Sequence, residues 1–155
     1  MTSVLRETVM SRRHGNFEIS TDRTRLDRTM IHRFLSEESY WARRIPAEVV
    51  NRSIDHSLNF GLYECGRQMG FARVVTDRAT FAFIRDVFIV ADYRGRGLGT
   101  WLMKVVMDHP DLQRLRRVML ATRDAAGLYE GLGFRPLARP EIFFAIETKN
   151  KELYP

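Results

Sequence analysis

The stretch from Val87 to Met103 constrains this chain more than any other. A strand-like run rich in Phe, Ile and Val, Thr80 to Val90, leads into Arg94-Gly95-Arg96-Gly97-Leu98-Gly99. Leu98, Trp101, Leu102, Val105 and Val106 then follow at helical spacing. A strand that turns through glycines into a helix N-terminus aims successive backbone N–H groups into one concavity. The helix dipole adds partial positive charge there, so the turn is suited to phosphate. Arg94 and Arg96 add formal charge at its rim. The plainer alternative is a flexible connection. Two other nucleotide motifs are excluded. A P-loop needs Lys-Ser/Thr after its last glycine, which is missing here. The dinucleotide fingerprint needs Gly-x-Gly-x-x-Gly in an early βαβ unit, whereas here Gly95, Gly97 and Gly99 alternate late in the chain.

The rest of the chain has to supply a scaffold for that turn. Its 155 residues suit one domain, and 45% hydrophobic with 28% charged residues is an ordinary globular balance. We expect a loose N-terminal extension over 1–16, without the apolar core of a signal peptide, and a single domain over 17–155. No run is apolar for long enough to span a bilayer. The single cysteine, Cys65, excludes an internal disulfide framework and fits a reducing cytoplasm. Cys65 reads as a small buried hydrophobe. His14, His32, His56 and His109 show no metal-ligand spacing, so no metal is expected. Net charge is +6, which attracts polyanions, but the arginines are spread along the chain. A nucleic-acid partner would call for a basic stripe with interleaved aromatics, so none is expected, and no membrane partner either.

Phe17 to Ser20 reads as a first strand, and Leu26, Met30, Ile31, Phe34 and Leu35 mark a helix within 24–36. Pro46 opens a second helix with the stripe Val50, Ile54, Leu58. Strands at 60–65, 69–76 and 80–90 form an antiparallel meander, the first pair joined by a turn at Gly66-Arg67. After the glycine-rich turn and its helix come a strand at 118–121 and a helix at 125–132, stopped by Gly133. Phe134 begins another strand, and Ile142 to Ile146 forms the last. The order β-α-α-β-β-β-α-β-α-β-β implies an α/β fold, a mixed sheet flanked by helices.

On these residues the chain resembles the GNAT superfamily of N-acetyltransferases. Its signature, Arg/Gln-x-x-Gly-x-Gly/Ala between a long strand and a helix, is met by Arg94 to Gly99. Leu128-Tyr129-Glu130-Gly131-Leu132-Gly133-Phe134 matches a second family feature, a Leu-Tyr followed by Gly-Phe. The proline common shortly before the arginine is replaced by Ala91. Ser39 to Ala42, Thr76 to Thr80 and Leu120 to Ala125 are similar to a subgroup of small bacterial members. The resemblance implies direct acetyl transfer from acetyl-CoA to a primary amine. It implies that the backbone of Arg94, Gly95, Arg96, Gly97, Leu98, Gly99 and Thr100 holds the pyrophosphate. It further implies that Val87, Phe88 and Ile89 pair with the pantetheine arm like an added strand, where two central strands splay at a bulge.

The family match makes Tyr129 the candidate general acid. A departing thiolate (thiol pKa about 8.5) is stabilised by a phenol (pKa about 10) beside it. The alternative is a core aromatic, because Ala125, Leu128, Tyr129 and Leu132 share a helical face. The amine must lose a proton, and Asp86 is a candidate base; a salt bridge to Arg85 or Arg73 is the competing reading. A glutamate that many members carry upstream has no equivalent within Phe81 to Ile84, so a water chain can serve instead. Glu37, Glu38, Tyr40 and Trp41 lie where family members border the acceptor pocket, and would suit a cationic amine. The competing reading is a packed connection between helices. Arg114, Arg116, Arg117 and Arg123 face either the 3′-phosphate of CoA or solvent. The expected acceptor is a small molecule or amino acid rather than a protein. A non-catalytic acyl-CoA-binding regulatory module is the alternative function. A homodimer is left open.

Overall fold

The computed structural model describes residues 7–155. Its sheet has six strands: β1 (Ser11–His14), β2 (Phe17–Ser20), β3 (Leu58–Glu64), β4 (Arg67–Thr76), β5 (Phe81–Ile89) and β6 (Arg117–Leu120). They lie in chain order, antiparallel except for the last pair, where β6 runs parallel to β5. Five helices accompany them: α1 (Arg28–Arg33), α2 (Ala47–Asp55), α3 (Leu98–Met107), α4 (Ala126–Gly131) and α5 (Asn150–Leu153). The mixed sheet flanked by helices is the expected architecture.

Period-2 alternation gives each strand two faces. On one face Phe60, Leu62, Met69, Ala72, Val74 and Ile84 pack against Leu98, Leu102, Met103, Val105 and Val106 of α3. On the other, Phe71 and Phe88 meet Leu26, Met30, Ile31, Phe34 and Leu35 of the α1 region and Val50 and Ile54 of α2. Each fully buried large side chain contributes about 1.5–3 kcal/mol, so both helix layers are anchored by several such terms. Asp27 caps α1 by accepting from the Met30 N–H at 3.0 Å. The helix then widens into a π turn over Phe34–Glu38.

Four expectations are corrected. The extension is not loose from Ser11 onward, because Ser11–His14 pairs with β2. All four residues of β1 are exposed, so no apolar alternation announced the strand. Leu58 continues no helix: α2 ends at Asp55, and Leu58 opens β3 while Asn59 donates to the Ile54 and Ser57 carbonyls. Cys65 is exposed, since it sits in the tight β3–β4 turn at φ 47. Two positive φ values, at Cys65 and Gly66, define the primed turn that suits strand twist. Finally, Phe134 and Ile142 to Ile146 form no strand, and the sheet ends at β6. The apolar run reads as strand, but a strand needs a ladder, and Phe144 and Ile146 are almost fully exposed. Residues 1–6 of the expected extension lie outside the described residues.

Two predictions follow from packing on β2 and β3. Tyr63 is buried with no hydrogen-bond partner for its hydroxyl among the described residues, and burial pushes its pKa up to about 12. Its ring lies over Gly61, where an added Cβ would sit 2.6 Å from Tyr63 Cζ. Gly61→Ala should therefore cost about 1–3 kcal/mol of overpacking, read from the urea midpoint, whereas Tyr63→Phe, which breaks no hydrogen bond, should shift it far less. Glu18 accepts from both Arg25 guanidinium nitrogens at 3.1 Å and from Ser11, which hold its pKa at about 2, down from 4.5. A carboxylate with a lowered folded pKa stabilises the fold above its unfolded value, and that contribution disappears as pH falls through the folded one. Glu18→Gln should cost about 1 kcal/mol at pH 7, and the gap to wild type should close between pH 4.5 and 2 in thermal melts.

Candidate active site

The glycine-rich turn leaves β5 at Ile89 and enters α3 at Leu98. Gly95 and Gly97 both take left-handed backbone, at φ 76 and 75, and Gly97 caps α3. A Cβ at either would meet no atom within 4 Å, so conformation rather than crowding calls for glycine. Among the described residues, no acceptor pairs with the N–H groups of Gly95 through Thr100. These are the orphan donors of a helix start, gathered in one turn. Arg94 Nε donates to the Ile89 carbonyl at 2.9 Å, which ties the loop to the strand. Arg96 lies 5.1 Å from the Tyr93 ring centroid, and the Tyr93 hydroxyl donates to Glu64 at 2.6 Å. Gly99 seats α3 on β5, with Ile89 Cγ1 3.8 Å from its Cβ position. The donor set fits a pyrophosphate.

β6 pairs only with the first half of β5, from Phe81 to Ile84. Beyond Ile84 the two strands part, and a cleft of about 490 Å³ opens between them. Val87 lines this cleft, while Phe88 points away and stacks on Phe34 at 3.8 Å. The parting coincides with a bulge. Phe71 pairs with Phe88 and Arg73 with Arg85, so Ala72 alone opposes both Asp86 and Val87. Asp86 carries the strain, with φ 52.

A regular strand would send Arg85 and Asp86 to opposite faces. Here Asp86 reaches the face of Arg73, the cross-strand partner of Arg85. Arg73 Nε donates to Asp86 Oδ2 at 2.8 Å, and Trp41 Nε1 donates to Oδ1 at 2.9 Å. Arg73 Nη1 also donates to Ser57 Oγ at 3.1 Å. The Arg73 and Asp86 side chains are only 11% and 7% exposed. Of the two readings of Asp86, the ion pair with Arg73 is present, and both carboxylate oxygens are engaged.

Tyr129, on α4, lines the cleft half-buried and packs edge-to-face on Phe134 at 5.9 Å. Burial raises its phenol pKa above 10, reinforced by Tyr40 and Asp124. Tyr40 and Trp41 line the same cleft and meet edge-to-face at 5.1 Å. Glu37 does not line it; it is exposed on the π turn. Arg117 lies 4.9 Å over the Phe143 ring, apart from the cleft lining. Arg123 is in the cleft: its guanidinium carbon lies 3.8 Å from the Tyr40 ring centroid, and its backbone N–H donates to the Tyr40 hydroxyl at 3.2 Å. Sequence reasoning missed Arg85 as a cleft residue and Asn150 as a brace, whose side chain donates to the Trp41 carbonyl at 2.8 Å. Only the bulge and a contact across 109 residues bring them there, and no local pattern signals either.

Removing one member of a buried ion pair strands the other, which is worse than removing both. Arg73→Met should cost about 3–5 kcal/mol in urea denaturation, and adding Asp86→Leu should recover part of that loss.

The sequence model of the acetyltransferase (GNAT) family matches residues 20–134. A protein of Gibberella zeae named as an acetyltransferase, FG08082, is 30% identical over 142 residues, covering 78% of this chain and 80% of its own. A crystal structure of a GNAT-family protein from Xanthomonas campestris pv. campestris, also named as an acetyltransferase, is 49% identical with a TM-score of 0.85. That match covers 86% of this chain and 94% of the other. Glucosamine-6-phosphate N-acetyltransferase from Arabidopsis thaliana, at 16% identity, TM-score 0.57 and coverage of 92% and 99%, shares the fold alone. The chain belongs to the GNAT acetyltransferase family, whose members use acetyl-CoA as co-substrate, and is an acyltransferase.

Proposed function

We propose that this protein moves the acetyl group of acetyl-CoA directly to a primary amine of a small molecule or amino acid, in the cytoplasm. The observation that carries this reading is the cleft between the parted strands β5 and β6, lined by Tyr129, Tyr40 and Trp41. The same strand β5 leads on to the turn whose N–H donors open α3, which among the described residues have no acceptor. The turn from Arg94 to Thr100 takes the pyrophosphate. The unpaired edge of Val87, Phe88 and Ile89 takes the pantetheine arm, which lays the thioester along the parting of the strands.

The amine reaches the cleft as ammonium and sheds a proton to water before it has a lone pair to offer. Its nitrogen attacks the thioester carbon, the C–N bond forms and the C–S bond breaks. The sulfur leaves as thiolate and takes a proton from the Tyr129 hydroxyl. Attack leaves two protons on the now cationic nitrogen; one passes through water to the Tyr129 phenolate and restores the phenol, and the other stays on the neutral amide. A phenol of ordinary pKa, about 10, is already protonated at neutral pH, as an acid must be, and burial moves Tyr129 further in that direction. We assign Asp86 a positioning role rather than that of base. Both its oxygens already accept bonds, and through Trp41 it fixes the acceptor side of the cleft. Deprotonation then falls to water, as the missing upstream glutamate also suggests.

Calorimetry with acetyl-CoA tests the cofactor side. Wild type and Tyr129→Phe should bind at micromolar levels, and Gly97→Glu, which places a side chain and a negative charge in the turn, should not. Failure of wild type to bind any acyl-CoA would sink the reading. With an acceptor in hand, Tyr129→Phe should lower kcat about 10²-fold with acetyl-CoA affinity retained. The wild-type pH profile should rise as the amine deprotonates and show no alkaline fall below pH 10, because the phenol pKa is raised above that value.

A further inference from the structure

Four charged side chains line the cleft: Arg85, Asp86, Arg123 and Asp124. Asp86 is neutralised from behind by Arg73. Neither Arg85 nor Arg123 forms a salt bridge among the described residues. Two unpaired guanidinium groups and one carboxylate therefore face the place where the acceptor enters. A simple diamine would meet net positive charge there, and Glu37, the acid expected to attract one, is elsewhere.

The arginines are also held ready. The Arg123 guanidinium carbon lies 3.8 Å from the Tyr40 ring centroid, and a contact with an aromatic face restrains the group without using its N–H donors. Its backbone is pinned by the Tyr40 hydroxyl, and Tyr40 packs on Trp41. Arg85 is placed on this face as the cross-strand partner of Arg73, 5.5 Å over the Phe83 ring. A planar guanidinium with in-line donors matches a carboxylate two bonds at a time.

We infer that the acceptor is an amine that also carries a carboxylate, an amino acid, with Arg123 and Arg85 holding the carboxylate and Asp124 facing the ammonium before it deprotonates. This rests on the acetyl-transfer reading above and deepens it. The polarity is the reverse of the cationic-amine pocket that the sequence suggested.

The test is free-thiol release from acetyl-CoA with the proteinogenic L-amino acids, their carboxamides, and alkyl amines and polyamines. At least one amino acid should exceed its carboxamide by about tenfold or more in kcat/KM. Arg123→Ala should collapse that acid-to-amide ratio, Arg123→Lys should restore part of it, and Arg85→Ala, at an exposed position, should reduce it without a folding defect. Calorimetry with acetyl-CoA runs beside every assay. Binding of acetyl-CoA with turnover of carboxamides or polyamines in preference to the acids, or with no turnover of any amino acid, overturns the amino-acid assignment and leaves the acetyltransferase reading standing. Loss of acetyl-CoA binding itself in wild type overturns that reading instead.

Discussion

One extra residue in β5 shapes everything around the cleft. Ala72 faces two residues, Asp86 and Val87, and Asp86 adopts a left-handed backbone that costs an L-residue about 1–2 kcal/mol. The buried carboxylate would add a desolvation cost if it stood alone. It does not: Arg73 and Trp41 each bond one oxygen, and Ser57 takes another Arg73 donor. The network thus ties β4, β5, the start of β3 and the loop carrying Trp41 to one point. The same point is where β6 stops pairing. A strand that bulges and twists away cannot keep its neighbour in register, so the cleft and the ion pair share one geometric cause.

The phosphate turn depends on the straight remainder of β5. Arg94 bonds the Ile89 carbonyl, and Gly99 lets α3 sit against Ile89. Leu98 and Leu102 bury that helix in the larger core. The N–H groups of Gly95 to Thr100 are therefore held by a packed strand and a packed helix on either side. Their direction is set before any anion arrives, which is the condition for strong electrostatic binding in a preformed site.

The two parts of the candidate site, turn and cleft, differ in how far the sequence reveals them. The turn is built from neighbours in the chain, so Gly95, Gly97 and the helical spacing after them announce it. The core faces follow from period, and Phe60, Leu62, Leu102 and Val106 lie where alternation and helical spacing place them. The proposed acceptor side is assembled from Tyr40, Trp41, Asp86, Arg123 and Asn150, which come from four separate segments. Trp41 and Tyr40 were legible as aromatics in a short connection, but their partners were not. Asp86 was readable as either base or ion pair until Arg73 was seen beside it. The exposed strand β1 and the exposed turn at Cys65 failed for a different reason. Both depend on backbone pairing and φ, which leave little trace in a hydrophobic pattern. The tail failed in the opposite sense, since Ile142 to Ile146 has strand-like residues but no ladder.

This division matches the chemistry asked of each half. In the proposed function the glycine-rich turn and the unpaired strand edge would recognise groups common to every acyl-CoA, and would do so with backbone atoms. The proposed acceptor half relies mainly on side chains braced on one another: Arg123 on Tyr40, Tyr40 on Trp41, Trp41 on Asp86, with Asn150 bonding the Trp41 carbonyl. Exchanging Arg123, Tyr40 or Asn150, which lie outside the buried ion pair, re-aims their neighbours while the turn stays intact. On the proposed function the same architecture can serve different acceptors, because the fold fixes the donor site and the braced side chains fix the acceptor. Among the described residues the cleft sets two arginines without a salt bridge beside a half-buried phenol, and that local surplus, more than the overall charge of +6, bears on the proposed acceptor.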